Sequence, residues 1–109
     1  MPLITVPVRF AACDPDGRPA AGDIFRAQLD KTDIDNAAGC YVVPALVEVI
    51  ADASGTVVLN LWPNELGTAS SRYRFEAFDP NQRKKYIDIV VSVPNRPCNL
   101  HEIAAAPNL

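Results

Sequence analysis

Two clusters of aspartate are the first residues in this 109-residue chain whose types and spacing suggest binding chemistry. Asp14 and Asp16 stand in an Asp-Pro-Asp-Gly run; Asp30, Asp33 and Asp35, with Asn36, stand in DKTDIDNAAG. Oxygens at alternating positions suit calcium, but a calcium loop of the helix–loop–helix kind also needs glycine at its sixth position and glutamate at its twelfth. Counted from Asp33, those positions hold Ala38 and Pro44, so the pattern fails. Asp-Pro-Asp-Gly is also a turn sequence that needs no ion. Neither a metal nor any other cofactor is expected.

Nucleophilic chemistry has equally thin support. His101 is the only histidine, and it lies in a Pro- and Ala-rich tail, next to none of the cysteines in sequence. A Cys–His pair requires that tail to fold back on the domain. No G-x-S-x-G elbow, phosphate loop or HExxH is present. Glu48, Glu65, Glu76 and Glu102 are spread along the chain, and nothing marks two of them as a pair across a cleft. No enzymatic activity and no catalytic residue is expected. Aromatic stacking of a sugar is the remaining possibility, with Trp62, Tyr73, Tyr41 and Tyr86 as candidates.

These residues must be positioned by strands, because alternation dominates the sequence. Ile4, Val6, Val8 and Phe10 share one face of ITVPVRF, and Pro7 places that strand at an edge or points its missing N–H away from a neighbour. Phe25, Ala27 and Leu29 do the same in DIFRAQL, Val57, Leu59 and Leu61 in TVVLNLW, and Tyr73, Phe75 and Ala77 in RYRFEAF. Ile87, Ile89, Val91 and Val93 face inward in YIDIVVSV. YVVPALVEVIAD reads as one long strand or two short ones broken at Pro44, and the polar stretch Asp30 to Gly39 reads as a loop with at most one helical turn. Turn sequences recur every eight to twelve residues. The expected fold is all-β, an antiparallel β-sandwich of about seven short strands. Residues 1–94 form the sandwich, and 95–109 form a C-terminal arm or tail with NLHEIAAA as its only possible helical turn. Trp62 falls on the opposite parity from Leu59 and Leu61. Either it faces outward, or the chain turns at Pro63 and tucks the indole over the end of the sandwich as a plug; its bulk favours the plug.

Composition bounds the rest. The length allows one domain. The formal net charge is -3 and the ten basic residues are scattered, which argues against nucleic acid. No apolar run approaches the ~20 residues of a membrane-spanning helix. MPLITVPVRF lacks a basic segment followed by an apolar one, so no secretory signal is expected and folding is assigned to a cytoplasm. Cys13, Cys40 and Cys98 are odd in number and never form a CxxC pair, which predicts free thiols.

Two stretches resemble known families. DPDGRPAAG, followed downstream by ADASGTVVLNLWP, resembles the turns and strand of Ig-like sandwiches of the transthyretin-like and carboxypeptidase-regulatory-like kind. VVLNLWPNELGTASSRYRFEAFDP resembles a segment of small domains in tailed-bacteriophage fibre and tail proteins, with LWPN-x-x-G, then a S-x-Y-R strand, then V-x-V-P and an NLHEI-like end. The matching positions are Leu61, Trp62, Pro63, Asn64, Gly67, Ser71, Tyr73 and Arg74, with VSVP at 91–94 and NLHEI at 99–103. The resemblance implies a virion structural protein, made in the host cytoplasm, that contacts other phage structural proteins and copies of itself. A single domain favours an adaptor, a cement-like protein or a detached N-terminal domain over a receptor-binding tip. On this reading the partner contacts fall on Trp62, Asn64, Glu65, Arg72 and Arg74 around one loop and on Leu100, His101 and Ile103 in the tail. Trp62 holds the loop from beneath, and Arg72 and Arg74 face an acidic partner. The alternative is a carbohydrate-binding module for a bacterial surface glycan, which requires an exposed Trp62. A periplasmic or secreted transthyretin-like domain is a third reading.

Overall fold

The computed structural model describes residues 3–81 and 84–104. Among the described residues, seven strands form two sheets. The first has three strands in the order β6-β1-β9, with β1 at Val6–Ala11, β6 at Thr56–Leu61 and β9 at Cys98–Asn99. The second has four in the order β5-β2-β7-β8, with β2 at Ile24–Leu29, β5 at Val47–Ile50, β7 at Tyr73–Asp79 and β8 at Lys84–Val91. A separate two-stranded ribbon joins β3 (Asp33–Asp35) to β4 (Cys40–Val42). All pairings are antiparallel except the short one between β1 and β9. A single helical turn, α1, covers Leu100–Ile103.

Alternation puts one apolar face of each sheet against the other. Val6, Val8 and Phe10 of β1 and Val57, Leu59 and Leu61 of β6 are buried opposite Phe25, Ala27 and Leu29 of β2 and Tyr73, Phe75 and Ala77 of β7. The two layers meet at Phe10, whose ring stacks on Phe25 with centroids 4.4 Å apart; Phe25 in turn lies 5.8 Å from Phe75. Burial of each such ring stabilises by about 1.5–3 kcal/mol. This is the expected antiparallel β-sandwich, with DASG as the expected turn. There Asp52 accepts hydrogen bonds from the N–H groups of Ser54 and Thr56. Gly55 has φ +72°, and a Cβ on it would come within 2.7 Å of backbone atoms of Ala12 and Ala20, so this position excludes every other residue.

Four local expectations need correction or narrowing. Ile4 lies outside β1 and is 46% exposed. Of the two placements open to Pro7, the edge is excluded, because β1 is the middle strand of its sheet. It tolerates proline because β9 pairs only with Val8 and Arg9, leaving Pro7 with the single partner Asn60 on β6. The polar segment 30–39 is not simply a loop, since it contains β3. Finally, β8 has a bulge: Ala77 pairs with Ile87 and Phe78 with Lys85, so Tyr86 is an extra residue. The bulge brings both Tyr86 and Ile87 into half-buried positions where strict alternation would separate them. The segment YVVPALVEVIAD adopts the second expected form, two short strands broken at Pro44, whose carbonyl accepts a 2.8 Å hydrogen bond from Gln28.

Candidate functional site

The ribbon β3–β4 inverts the usual pattern. Asp33 and Asp35 are fully buried, while Ile34 and its cross-strand partner Tyr41 are exposed. Burying carboxylates is unfavourable unless each oxygen finds donors. Here they do. Oδ1 of Asp33 accepts the N–H groups of Ile34 (2.7 Å), Thr68 (3.0 Å) and Ala69 (2.8 Å), and Oδ2 accepts the N–H (3.2 Å) and hydroxyl (2.5 Å) of Ser71. Asp35 accepts the Ala38 N–H at 3.0 Å and the indole N–H of Trp62 at 2.8 Å. Burial opposes ionisation of Asp33, but the Ser71 hydroxyl and the N–H groups of Ala69, Ile34 and Ser71 outweigh it and hold the carboxyl well below the usual range. The donors from Ala38 and Trp62 lower Asp35 against the same opposition.

These two carboxylates shape the loop between β6 and β7. Its first turn is a 3-10 turn at Asn64–Leu66. Trp62 is 3% exposed and its carbonyl accepts the Tyr73 hydroxyl at 2.7 Å. Burial raises the Tyr73 hydroxyl well above its usual range, so it remains a donor. Asn64 is buried and clamps the Val93 peptide: its N–H donates to the Val93 carbonyl (3.0 Å), and its Oδ1 accepts the Val93 N–H (2.7 Å). Its amide nitrogen donates to Ser71 at 3.1 Å. Ser70 has φ 57°, a left-handed conformation uncommon for serine, and the flanking N–H groups of Ala69 and Ser71 both converge on Asp33 there. A Cβ on Gly67 would come within 2.6 Å of both Asp33 and Trp62, so only glycine lets the loop pass over them. An isolated bridge from Asp35 to Gly67 ties ribbon and loop into one end of the sandwich.

The residues expected to make partner contacts therefore divide. Trp62, Asn64 and Leu100 are interior side chains and offer no surface; Trp62 is the plug beneath the loop. Glu65 is exposed and accepts the Asn95 N–H. Arg72 is exposed beside Asp30, with a side-chain separation of 4.0 Å. Arg74 forms a two-pronged contact with Asp88 (2.8 and 2.6 Å), and Lys85 bridges Asp88 and Glu76, so the Arg74 charge is answered within its own sheet. That neighbourhood, with Arg74 the leading partner, lowers the Asp88 carboxyl to about 2.

Of the segment 95–109, Cys98 and Asn99 pair with β1 and Leu100 is in the core, while His101 is exposed and Ile103 half-buried. Residues 105–109 lie outside the described residues. This folded segment helps form a cleft of about 450 Å³ between β1, β8 and α1, with Phe10, Ile87 and Leu100 in its walls and Cys13 and His101 on its lining. No hydrogen bond joins Cys13 to His101. A neighbouring cleft of about 530 Å³ shares Ala12, Cys13 and Tyr86 with it and adds Asp14, Asp23, Asp79 and Lys84. Tyr86 donates to Asp23 at 2.8 Å, and burial together with that carboxylate raises its hydroxyl above the usual range. The three cysteines are free, with Cys13 and Cys40 exposed and Cys98 buried.

Sequence reasoning missed the importance of Asp33 and Asp35, which it weighed only as calcium ligands. Their oxygens are occupied by the protein's own donors. The signal was present: Asp-Ile-Asp alternates with period two and is followed by Asn-Ala-Ala-Gly, where Gly39 turns the chain at φ +71°. Neither a scan of protein-family models nor a search of curated protein sequences returns a match.

Proposed function

We propose that the protein is a non-enzymatic structural component of a tailed-bacteriophage virion, a tail-fibre, tail-adaptor or decoration module that acts through protein–protein contacts. The virion assignment rests on the resemblance of Val57–Pro80 to phage fibre and tail domains. The observation that carries the contact role is the ribbon-and-loop end of the sandwich. Its buried polar side chains are hydrogen-bonded, while its outer surface leaves Tyr41, Val43 and Leu46 more than half exposed. Apolar side chains grouped along one short stretch of surface favour a macromolecular partner. A rigid loop beside them supplies geometric definition at little entropic cost on binding.

Mass spectrometry of particles purified from the culture that makes the protein tests this reading. Recovery in fixed ratio to the major tail proteins is expected. Consistent absence from intact particles overturns it.

Tyr41 favours a second reading. It is 73% exposed, and it gives a glycan-binding module the stacking face that the buried Trp62 does not. Under that reading, Tyr41→Ala abolishes binding to host surface polysaccharide and leaves particle incorporation unchanged.

A further inference from the structure

A short strap completes the three-stranded sheet. β9 has two residues, lies at the edge of that sheet and pairs with β1 only at Val8 and Arg9. α1 follows it directly as a single turn with no side-chain cap. This strap nevertheless buries Cys98 and Leu100 in the core and packs Ile103 against it. The slot on the body therefore fits this segment's side chains, while a two-residue ladder holds its backbone. Segments with so little backbone pairing open locally while the rest stays folded.

The chain ahead of the strap has the form of a hinge. Asn64 clamps the Val93 peptide through both its N–H and its carbonyl, so the body holds the chain up to Val93. Pro94-Asn95-Arg96-Pro97 comes next, bent at Asn95 and Arg96 and exposed from Asn95 to Pro97. Each proline disfavours helical backbone in the residue before it, so an opened hinge stays extended.

We propose that copies of this chain exchange straps: β9 and α1 of one copy pair with β1 of another and seat Cys98 and Leu100 in that copy's slot. The slot itself names the occupant, because the contacts made within one chain are the contacts that form between two. Exchange trades equal contacts, and mass action favours it where copies are concentrated. Reciprocal exchange closes a dimer, and head-to-tail exchange gives a ring or a filament. This deepens the assembly reading above and rests on it, by naming one partner as a second copy and the segment that joins them.

Arg9 and Asn99 are register partners, which gives a direct test. Arg9→Cys and Asn99→Cys are placed on separate full-length chains, each also carrying Cys13→Ser and Cys40→Ser to remove the exposed thiols. The two chains are mixed at millimolar concentration and oxidised, and disulfide-linked peptides are identified by mass spectrometry. Expected is a disulfide between positions 9 and 99 of different chains, and the same bond within a single chain that carries both substitutions. Deleting Asn95 and Arg96 removes the bend that returns the strap to its own β1, so light scattering of that variant should give at least twice the single-chain mass. A glycine-serine insertion at the same place should hold the protein monomeric. A bond within the doubly substituted chain but none between chains overturns the proposal. So does a shortened hinge that stays monomeric with Trp62 emission still blue-shifted. Recovery of the protein in particles without strap exchange would sink this inference and leave the structural role standing; exchange by a protein absent from particles would do the reverse.

Discussion

Asp33 gathers donors from four residues, three of which lie in a loop more than thirty positions away in sequence. Asp33→Asn keeps the size but turns one acceptor into a donor facing Ser71 or the loop amides. Each lost charge-assisted hydrogen bond contributes about 1.5–3 kcal/mol, so a loss of about 3 kcal/mol is expected in denaturant unfolding. Unchanged stability would show that the loop does not depend on this carboxylate. Gly67→Ala pushes a methyl group into Asp33 and Trp62, and a loss of about 1–3 kcal/mol is expected from overpacking. Ser70→Gly removes left-handed strain and should be neutral or stabilising by up to about 1 kcal/mol, measured in the same way. These roles were hard to read from sequence because aspartate in a polar stretch looks like solvated loop. What buries Asp33 is the distant Thr68–Ser71 segment, and no local pattern encodes that pairing.

At the scale of elements, legibility followed periodicity. Ile4 apart, β1, β2, β6 and β7 bury the residues their alternation marks, because an apolar face opposite a polar one has one low-energy orientation in a sandwich. Legibility failed where alternation was inverted, in β3, and where it skipped, at Tyr86 in β8. An inverted strand needs buried donors from elsewhere, and a bulge needs one extra residue that sequence does not flag. The loop from Pro63 to Ser71 was visible as a loop, and Trp62 as its plug, but its carboxylate supports were not. Trp62→Phe keeps the aromatic bulk and deletes the donor to Asp35. A cost of about 1–3 kcal/mol is expected, with faster amide exchange at Thr68 and Ala69 and little change in β2. Equal exchange in both proteins would mean that the indole fills space without fixing the loop.

For the whole molecule, the carboxylates set the response to acid. Asp33, Asp35, Asp52 and Asp88 all have folded-state ionisation below that of an unfolded aspartate near 3.8. Their stabilisation is fully present above that value and is lost as pH falls below it, toward about 2 for Asp88 and lower still for Asp33. Thermal midpoints should therefore fall steeply below about pH 4, and Asp33→Asn should flatten that fall. A wild-type midpoint that is insensitive to pH between 5 and 2 would contradict the hydrogen-bonded state assigned to these groups.

The central structural claim is that one end of the sandwich is a rigid surface built on a buried Trp62 and two buried carboxylates. Trp62 is the only tryptophan, so its fluorescence reports that end without ambiguity. A blue-shifted emission, poorly quenched by acrylamide and unchanged by added bacterial polysaccharide, is the expected result. A red-shifted, readily quenched emission would contradict the claim, since an indole in water cannot hold the loop from beneath.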